Sequence, residues 1–140
     1  MGNADVNKPW FVILTHGRFG EELKNSAEMI LGKMEHAYAF SLLESMDPKE
    51  FIDLVKEEIK EAPKGSIIFT DLFGGTPSNV AATFSQEFKV ISGVNLPMII
   101  EAEMLRSQNN MEKIIEQAML SATDGIKDIS KMMKERMKEK

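Results

Sequence analysis

At 140 residues the chain holds one domain's worth of material, long enough to bury about two thirds of the surface of its unfolded form. It has no cysteine, which excludes disulfides, zinc–thiolate sites, iron–sulfur clusters and a cysteine nucleophile. The net charge of −5 is uneven: residues 127–140 carry six basic side chains against three acidic ones, so the tail is net +3 and the remainder net −8, a poor surface for nucleic acid.

No apolar run approaches the roughly 18 residues of a membrane span, and Met1–Lys8 lacks the apolar stretch of a signal peptide. The expectation is a cytoplasmic protein without membrane insertion. Residues 1–9 read as a disordered or extended segment, 10–130 as a single domain and 131–140 as a basic, solvated tail.

Taken in order, Trp10–Thr15 is a continuous apolar run, which suits a strand buried on both faces. Leu23, Ala27, Ile30 and Leu31 follow helical spacing, and Gly32 is a natural stop. Ala37–Leu43 reads as a second strand. Asp47-Pro48 is a helix start ahead of Phe51, Leu54, Val55 and Ile59. Ser66–Thr70 is a third strand, and Thr76-Pro77 opens a helix through Val80, Ala81 and Phe84. Phe88–Ser92 is a short fourth strand. Helices follow at Met98, Ala102 and Leu105, after Asn95-Leu96-Pro97, and at Met111–Ala122.

Strands alternating with helices predict an α/β, doubly wound, flavodoxin-like fold: four parallel strands in the order 2-1-3-4. Such sheets bind ligands at the carboxyl ends of their strands, where the winding reverses, here between strands 1 and 3. His16 leaves one of these strand ends and Asp71 the other. Adjacent strands lie about 4.8 Å apart, close enough for imidazole and carboxylate to meet. Asp71 then accepts a hydrogen bond from one ring N–H and leaves the other nitrogen with a lone pair, as a nucleophile.

Gly74-Gly75-Thr76-Pro77 supplies close backbone approach and a helix start whose free N–H groups suit an anion. No serine elbow, Walker loop or dinucleotide fingerprint competes with it. The only other histidine, His36, falls at the start of strand 2, toward the opposite edge of the sheet, so neither a metal nor a cofactor is expected. Most of the 11 methionines read as core filling.

Four segments carry a resemblance: Ile13–Gly17, Ala27–Gly32, Thr70–Asn79 and Ile91–Met98. In their order and spacing the chain resembles the enzyme IIA component of the mannose-type sugar phosphotransferase system. The resemblance implies that His16 is phosphorylated on Nε2 by the phosphocarrier protein HPr and passes the group to a IIB component. It implies that Asp71 holds Nδ1–H, and that Gly74, Gly75 and the Thr76 hydroxyl bind the phosphate. Met29 aligns with a methionine packed near the histidine.

Arg18 and Phe19 stand where the best-known member has Trp-Ala, and Phe73 where it has Trp. Phe19 and Phe73 then form an apolar rim for a docking protein. No Ala/Pro linker to a fused IIB domain is present, so a free-standing IIA protein is expected.

Three readings compete with this one, the last of them a metal-independent hydrolase using His16, which lacks a second acid or base at the right strand ends. The phosphotransfer subunit of a dihydroxyacetone kinase shares the fold and the histidine, although Gly93–Met98 favours the sugar-transport type. A non-catalytic flavodoxin-like regulatory module would never carry covalent phosphate. The resemblance also implies a homodimer, in which Ile126–Ile129 adds an antiparallel edge strand to the partner's sheet. The alternative is a helix that runs on through Gly125 into the tail.

Overall fold

The computed structural model describes residues 8–108 and 110–139. The N-terminal segment 1–9 lies almost wholly outside the described residues, as does Lys140 of the tail.

Four parallel strands form one sheet: β1 (Phe11–His16), β2 (Ala37–Leu42), β3 (Ile67–Thr70) and β4 (Lys89–Ile91). Their order is β2-β1-β3-β4, the winding expected from the alternation. The helices are α1 (Phe19–Leu31), α2 (Pro48–Glu58), α3 (Gly75–Ala82), α4 (Leu96–Leu105), α5 (Met111–Asp124) and α6 (Ile129–Lys138), with a 3₁₀ turn at Arg106–Gln108. Among the described residues no helix is long and apolar enough to cross a membrane.

The apolar runs are explained by the two faces of the sheet. Phe11, Ile13, Ile67 and Phe69 pack with Leu23, Ala27, Met98, Ile99, Ile114 and Ala118, from α1, α4 and α5. Val12, Leu14 and Ile68 point the other way, onto Phe51, Val55, Val80 and Ala81 of α2 and α3. Successive residues of β1 and β3 therefore serve opposite layers, and every one of them must be apolar or internally satisfied. Ile30, expected on the buried stripe of α1, is instead 60% exposed, because the helix buries Gly20, Leu23 and Ala27 and turns Ile30 outward.

Helix starts divide into two kinds. Asp47, Asn95, Asn110 and Asp128 each cap a helix (α2, α4, α5 and α6), the side-chain oxygen accepting a backbone N–H three residues on. The residues preceding α1 and α3, Arg18 and Gly74, provide no side-chain cap. These two helices are the ones that start just beyond the carboxyl ends of β1 and β3.

The C-terminal segment departs from both sequence expectations. Ile126–Asp128 is irregular, and Ile129 opens a helix rather than ending an edge strand. The cause is local: Asp128 accepts the N–H of Lys131 at 2.9 Å, and Lys, Met, Glu and Arg that follow are good helix formers. The helix does not run on through Gly125 either. That residue ends α5 with φ −74°, and a β-carbon there would meet Pro97 Cγ at 2.9 Å, so glycine is required by packing rather than by a left-handed turn. No residue of α6 is buried.

At the amino ends of the strands one charged side chain is fully buried. The Arg106 guanidinium donates to the carbonyls of Pro9 (3.0 Å) and His36 (3.3 Å), pairs with Glu103, and lies 4.1 Å from the Phe11 ring centroid. His36 is at this end too, stacked on Trp10 and well away from His16.

Candidate active site

The parallel register sets Leu42 opposite His16 and Thr70 opposite Leu14, so Asp71 leaves β3 level with the end of β1. The carboxylate and imidazole meet there. Asp71 Oδ2 accepts the backbone N–H of His16 at 2.9 Å and lies 2.9 Å from His16 Nδ1. Its other oxygen accepts the N–H of Leu72 at 3.0 Å, which holds the carboxylate in orientation. A carboxylate can only accept, so the ring proton sits on Nδ1 and the lone pair on Nε2. Asp71 is mostly buried (side chain 12% exposed) while the His16 ring is half open to solvent at 49%.

The free side of the ring faces α3. A β-carbon on Gly75 would lie 3.2 Å from His16 Cε1 and 3.4 Å from Nε2, so the start of this helix faces the ring and leaves no room for a side chain between them. Gly74 and Gly75 have φ of +94° and +84°, a left-handed pair that only glycine adopts cheaply. The loop they form lets the first turn of α3 reach the ring with its N–H groups uncapped. Thr76 follows in that turn and lines a groove between α2 and α3 with Pro48, Lys49, Ile52 and Asn79.

The backbone around His16 is held on every side. Gly17 N–H donates to Leu42 O at 2.8 Å. The Thr15 hydroxyl, fully buried, donates to Gly17 O at 3.2 Å and accepts the N–H of Gly20 at 2.8 Å. An open hollow beside the ring is lined by Gly17, Arg18, Leu42, Leu43, Glu44 and Met46. Leu42 at the end of β2, the residues Leu43, Glu44 and Met46 beyond it, and Thr15 are not candidate site residues in the sequence. The 2-1-3-4 order was the available signal for the first, since it sets the end of β2 beside His16.

Phe19, at the start of α1, is 50% exposed, and Leu72 and Phe73, in the loop after Asp71, are 50% and 89% exposed. Met29 is not brought to His16. It lies ten residues along α1 from Phe19, about 15 Å of helix rise away, and its side chain is in solvent. Among the described residues no group of three or more His, Asp or Glu is arranged to hold a metal ion.

A parallel sheet wound 2-1-3-4, with an oriented imidazole where the winding reverses, defines a flavodoxin-like α/β protein. The family model described as "PTS system fructose IIA component" matches residues 10–119, and the chain belongs to this mannose-type family of IIA components of the sugar phosphotransferase system. Relatives include the mannose-specific EIIAB component of Escherichia coli K12, 29% identical over 122 residues. That match covers 83% of this chain but 38% of the relative, so the chain spans well under half of the longer protein. The fructose-specific EIIA component of Bacillus subtilis is 29% identical over 119 residues, covering 76% of this chain and 82% of the relative. Among solved structures, the EIIA component of Streptococcus agalactiae superposes with a TM-score of 0.81 at 29% identity, covering 87% of this chain and 98% of that one.

Proposed function

We propose that this protein is a cytoplasmic phosphocarrier of a sugar phosphotransferase system, taking a phosphoryl group from phospho-HPr onto His16 Nε2 and passing it to a IIB component. The observation that carries the reading is the orientation of the ring: Asp71 holds Nδ1, and the side bearing Nε2 faces the uncapped start of α3 at Gly75.

The step balances with the groups present. The Nε2 lone pair attacks phosphorus in line, a P–Nε2 bond forms, and the N–P bond of the donor histidine breaks with its electron pair returning to the donor imidazole. The His16 ring gains positive charge while keeping its proton on Nδ1, and the Asp71 carboxylate stabilises that charge. The backbone N–H groups at Gly75 and Thr76, with the Thr76 hydroxyl, bind the phosphoryl oxygens at the positive end of the α3 dipole. Donor and acceptor are both histidines, so transfer is nearly balanced and reverses readily toward IIB. Phe19, Leu72 and Phe73 give the partner an apolar rim to dock on. A homodimer belongs to the same proposal.

The test is incubation with phosphoenolpyruvate, enzyme I and HPr, read by intact mass. One acid-labile phosphoryl group on the wild type and none on His16→Ala is the expected result. Label retained in the variant refutes the assignment.

A further inference from the structure

Helix α1 begins three residues after His16 without a cap of its own, yet one of its first N–H groups is satisfied from outside the helix. Thr15 does this from the end of β1, accepting from Gly20 N–H at 2.8 Å. The same hydroxyl donates to Gly17 O at 3.2 Å. One buried oxygen therefore spans the His16–Gly17–Arg18 turn, tied to it on the near side and to α1 on the far side. Gly20 is pressed onto this group: a β-carbon there would meet Thr15 Cγ2 at 3.0 Å and Ile13 Cγ2 at 2.9 Å.

The strand that leads into Asp71 ends in a threonine too, without the accepted N–H. Thr70 is equally buried and also precedes the functional residue, but its hydroxyl makes a single contact, to Leu72 O, at the outer limit of 3.5 Å.

We propose that Thr15 is a positioning residue for His16: its hydroxyl locks the turn that carries the imidazole, so that Nε2 stays aligned against α3 at Gly75. This rests on the reading of His16 as the phosphoryl acceptor. In-line transfer depends steeply on the placement of the attacking nitrogen, and a small misplacement costs far more rate than affinity. A hydroxyl with both its roles used, in a dry site, holds such a turn more tightly than packing alone.

The test uses Thr15→Val, which keeps shape and burial but removes both hydrogen bonds, with Thr15→Ser as rescue and Thr70→Val as a control of equal burial. Two readouts need no donor: hydrogen exchange at the Gly20 amide, and the Nδ1–H proton resonance of His16. The third is the single-turnover rate of transfer from phospho-HPr as its concentration is varied.

Thr15→Val is expected to speed Gly20 exchange, to broaden the Nδ1–H resonance, and to lower the saturating rate about tenfold or more with little change in the half-saturating concentration. Thr15→Ser and Thr70→Val are expected to stay close to wild type in all three.

A wild-type rate in Thr15→Val overturns the proposal. So does equal slowing in Thr15→Ser, which would assign the effect to the methyl group, or in Thr70→Val, which would make it a general cost of losing a buried hydroxyl. Thr15→Ala, read in the same way, decides the matter where Thr15→Val does not fold. If the wild type itself takes up no phosphoryl group, the carrier reading fails, and an unchanged His16 resonance in Thr15→Val would still sink the role of Thr15.

Discussion

Gly75 stands against the imidazole of His16 so closely that a methyl group on it would touch the ring at Cε1 and Nε2. The free nitrogen therefore faces the start of α3, and the site has no room for a side chain at Gly75.

Gly75→Ala is accordingly expected to slow phosphoryl transfer. Two effects act together: a positive φ costs an L-residue about 1–2 kcal/mol, and the new β-carbon pushes the ring from its place. Gly74→Ala separates them, because Gly74 has a similar φ of +94° but open space where its β-carbon would go. Rapid-quench rates should fall much further for Gly75→Ala than for Gly74→Ala. Equal losses would mean that backbone strain alone is being measured.

Asp71→Asn should weaken transfer without abolishing it. The amide can still accept from the ring or the backbone, but the charge that stabilises phosphorylated His16 is gone. Hydrogen bonds to charged groups contribute about 1.5–3 kcal/mol, which corresponds to a slowing of about ten- to a hundredfold. The same transfer assay measures it, and a wild-type rate would remove Asp71 from the mechanism.

Much of this site could be read before the fold was known, because its two key residues each end an apolar run. Phe11–Thr15 and Ile67–Thr70 alternate between two buried layers, so the first polar, titratable residue after each marks a strand end. What escaped notice depends on contacts distant in sequence. Thr15 reads as an ordinary strand residue, since threonine suits strands, and its role appears only when Gly20 folds back over it. Arg106 carries no signal in the sequence, because the carbonyl of Pro9 that accepts from it is 97 residues away. Met29 fits a family pattern, but the axis of α1 carries it away from His16. The edge strand at Ile126–Ile129 is implied by the family resemblance alone, whereas the Asp128 cap commits the residues after it to a helix.

Arg106 gives a prediction that separates stability from activity. Arg106→Met leaves the Pro9 carbonyl without its donor and Glu103 without its partner inside the protein. Breaking a buried ion pair from one side costs about 3–5 kcal/mol. Urea unfolding should report a loss of that order, while the fraction still folded at low temperature transfers phosphate normally, because Arg106 lies at the end of the sheet opposite His16. Lost transfer in the folded variant would show that the two ends are coupled.

The tail supplies a test of assembly. Ile126, Ile129, Met132, Met133 and Met137 are all exposed on a single chain. The proposed homodimer covers them, with a helix at the contact where an edge strand had been expected. Light scattering should give a dimer mass at micromolar concentration and a monomer mass for a chain ended at Gly125. A full-length monomer would remove dimerisation from the proposal.

The last prediction concerns acid and the far end of α1. Glu28 accepts the backbone N–H of Met34 at 2.9 Å and pairs with Lys24 at 3.3 Å, closing the loop that leads into β2. The Met34 N–H lowers the Glu28 pKa below its usual value; burial, the next largest effect, opposes it, and Lys24 and then Lys33 add to the lowering. A carboxyl whose pKa is depressed by folding adds stability that is fully present above its unfolded value, about 4.3, and disappears as pH falls through the folded one. Glu28→Gln keeps an oxygen for Met34 but loses the charge. The variant should therefore be less stable than wild type at pH 7, and the gap between their urea midpoints should close in acid, well below that unfolded value. Comparing the pair at each pH cancels the titration of every other group. A gap of the same size in acid would mean that the charge of Glu28 contributes nothing, and that the loop is held by the geometry of the Met34 hydrogen bond alone.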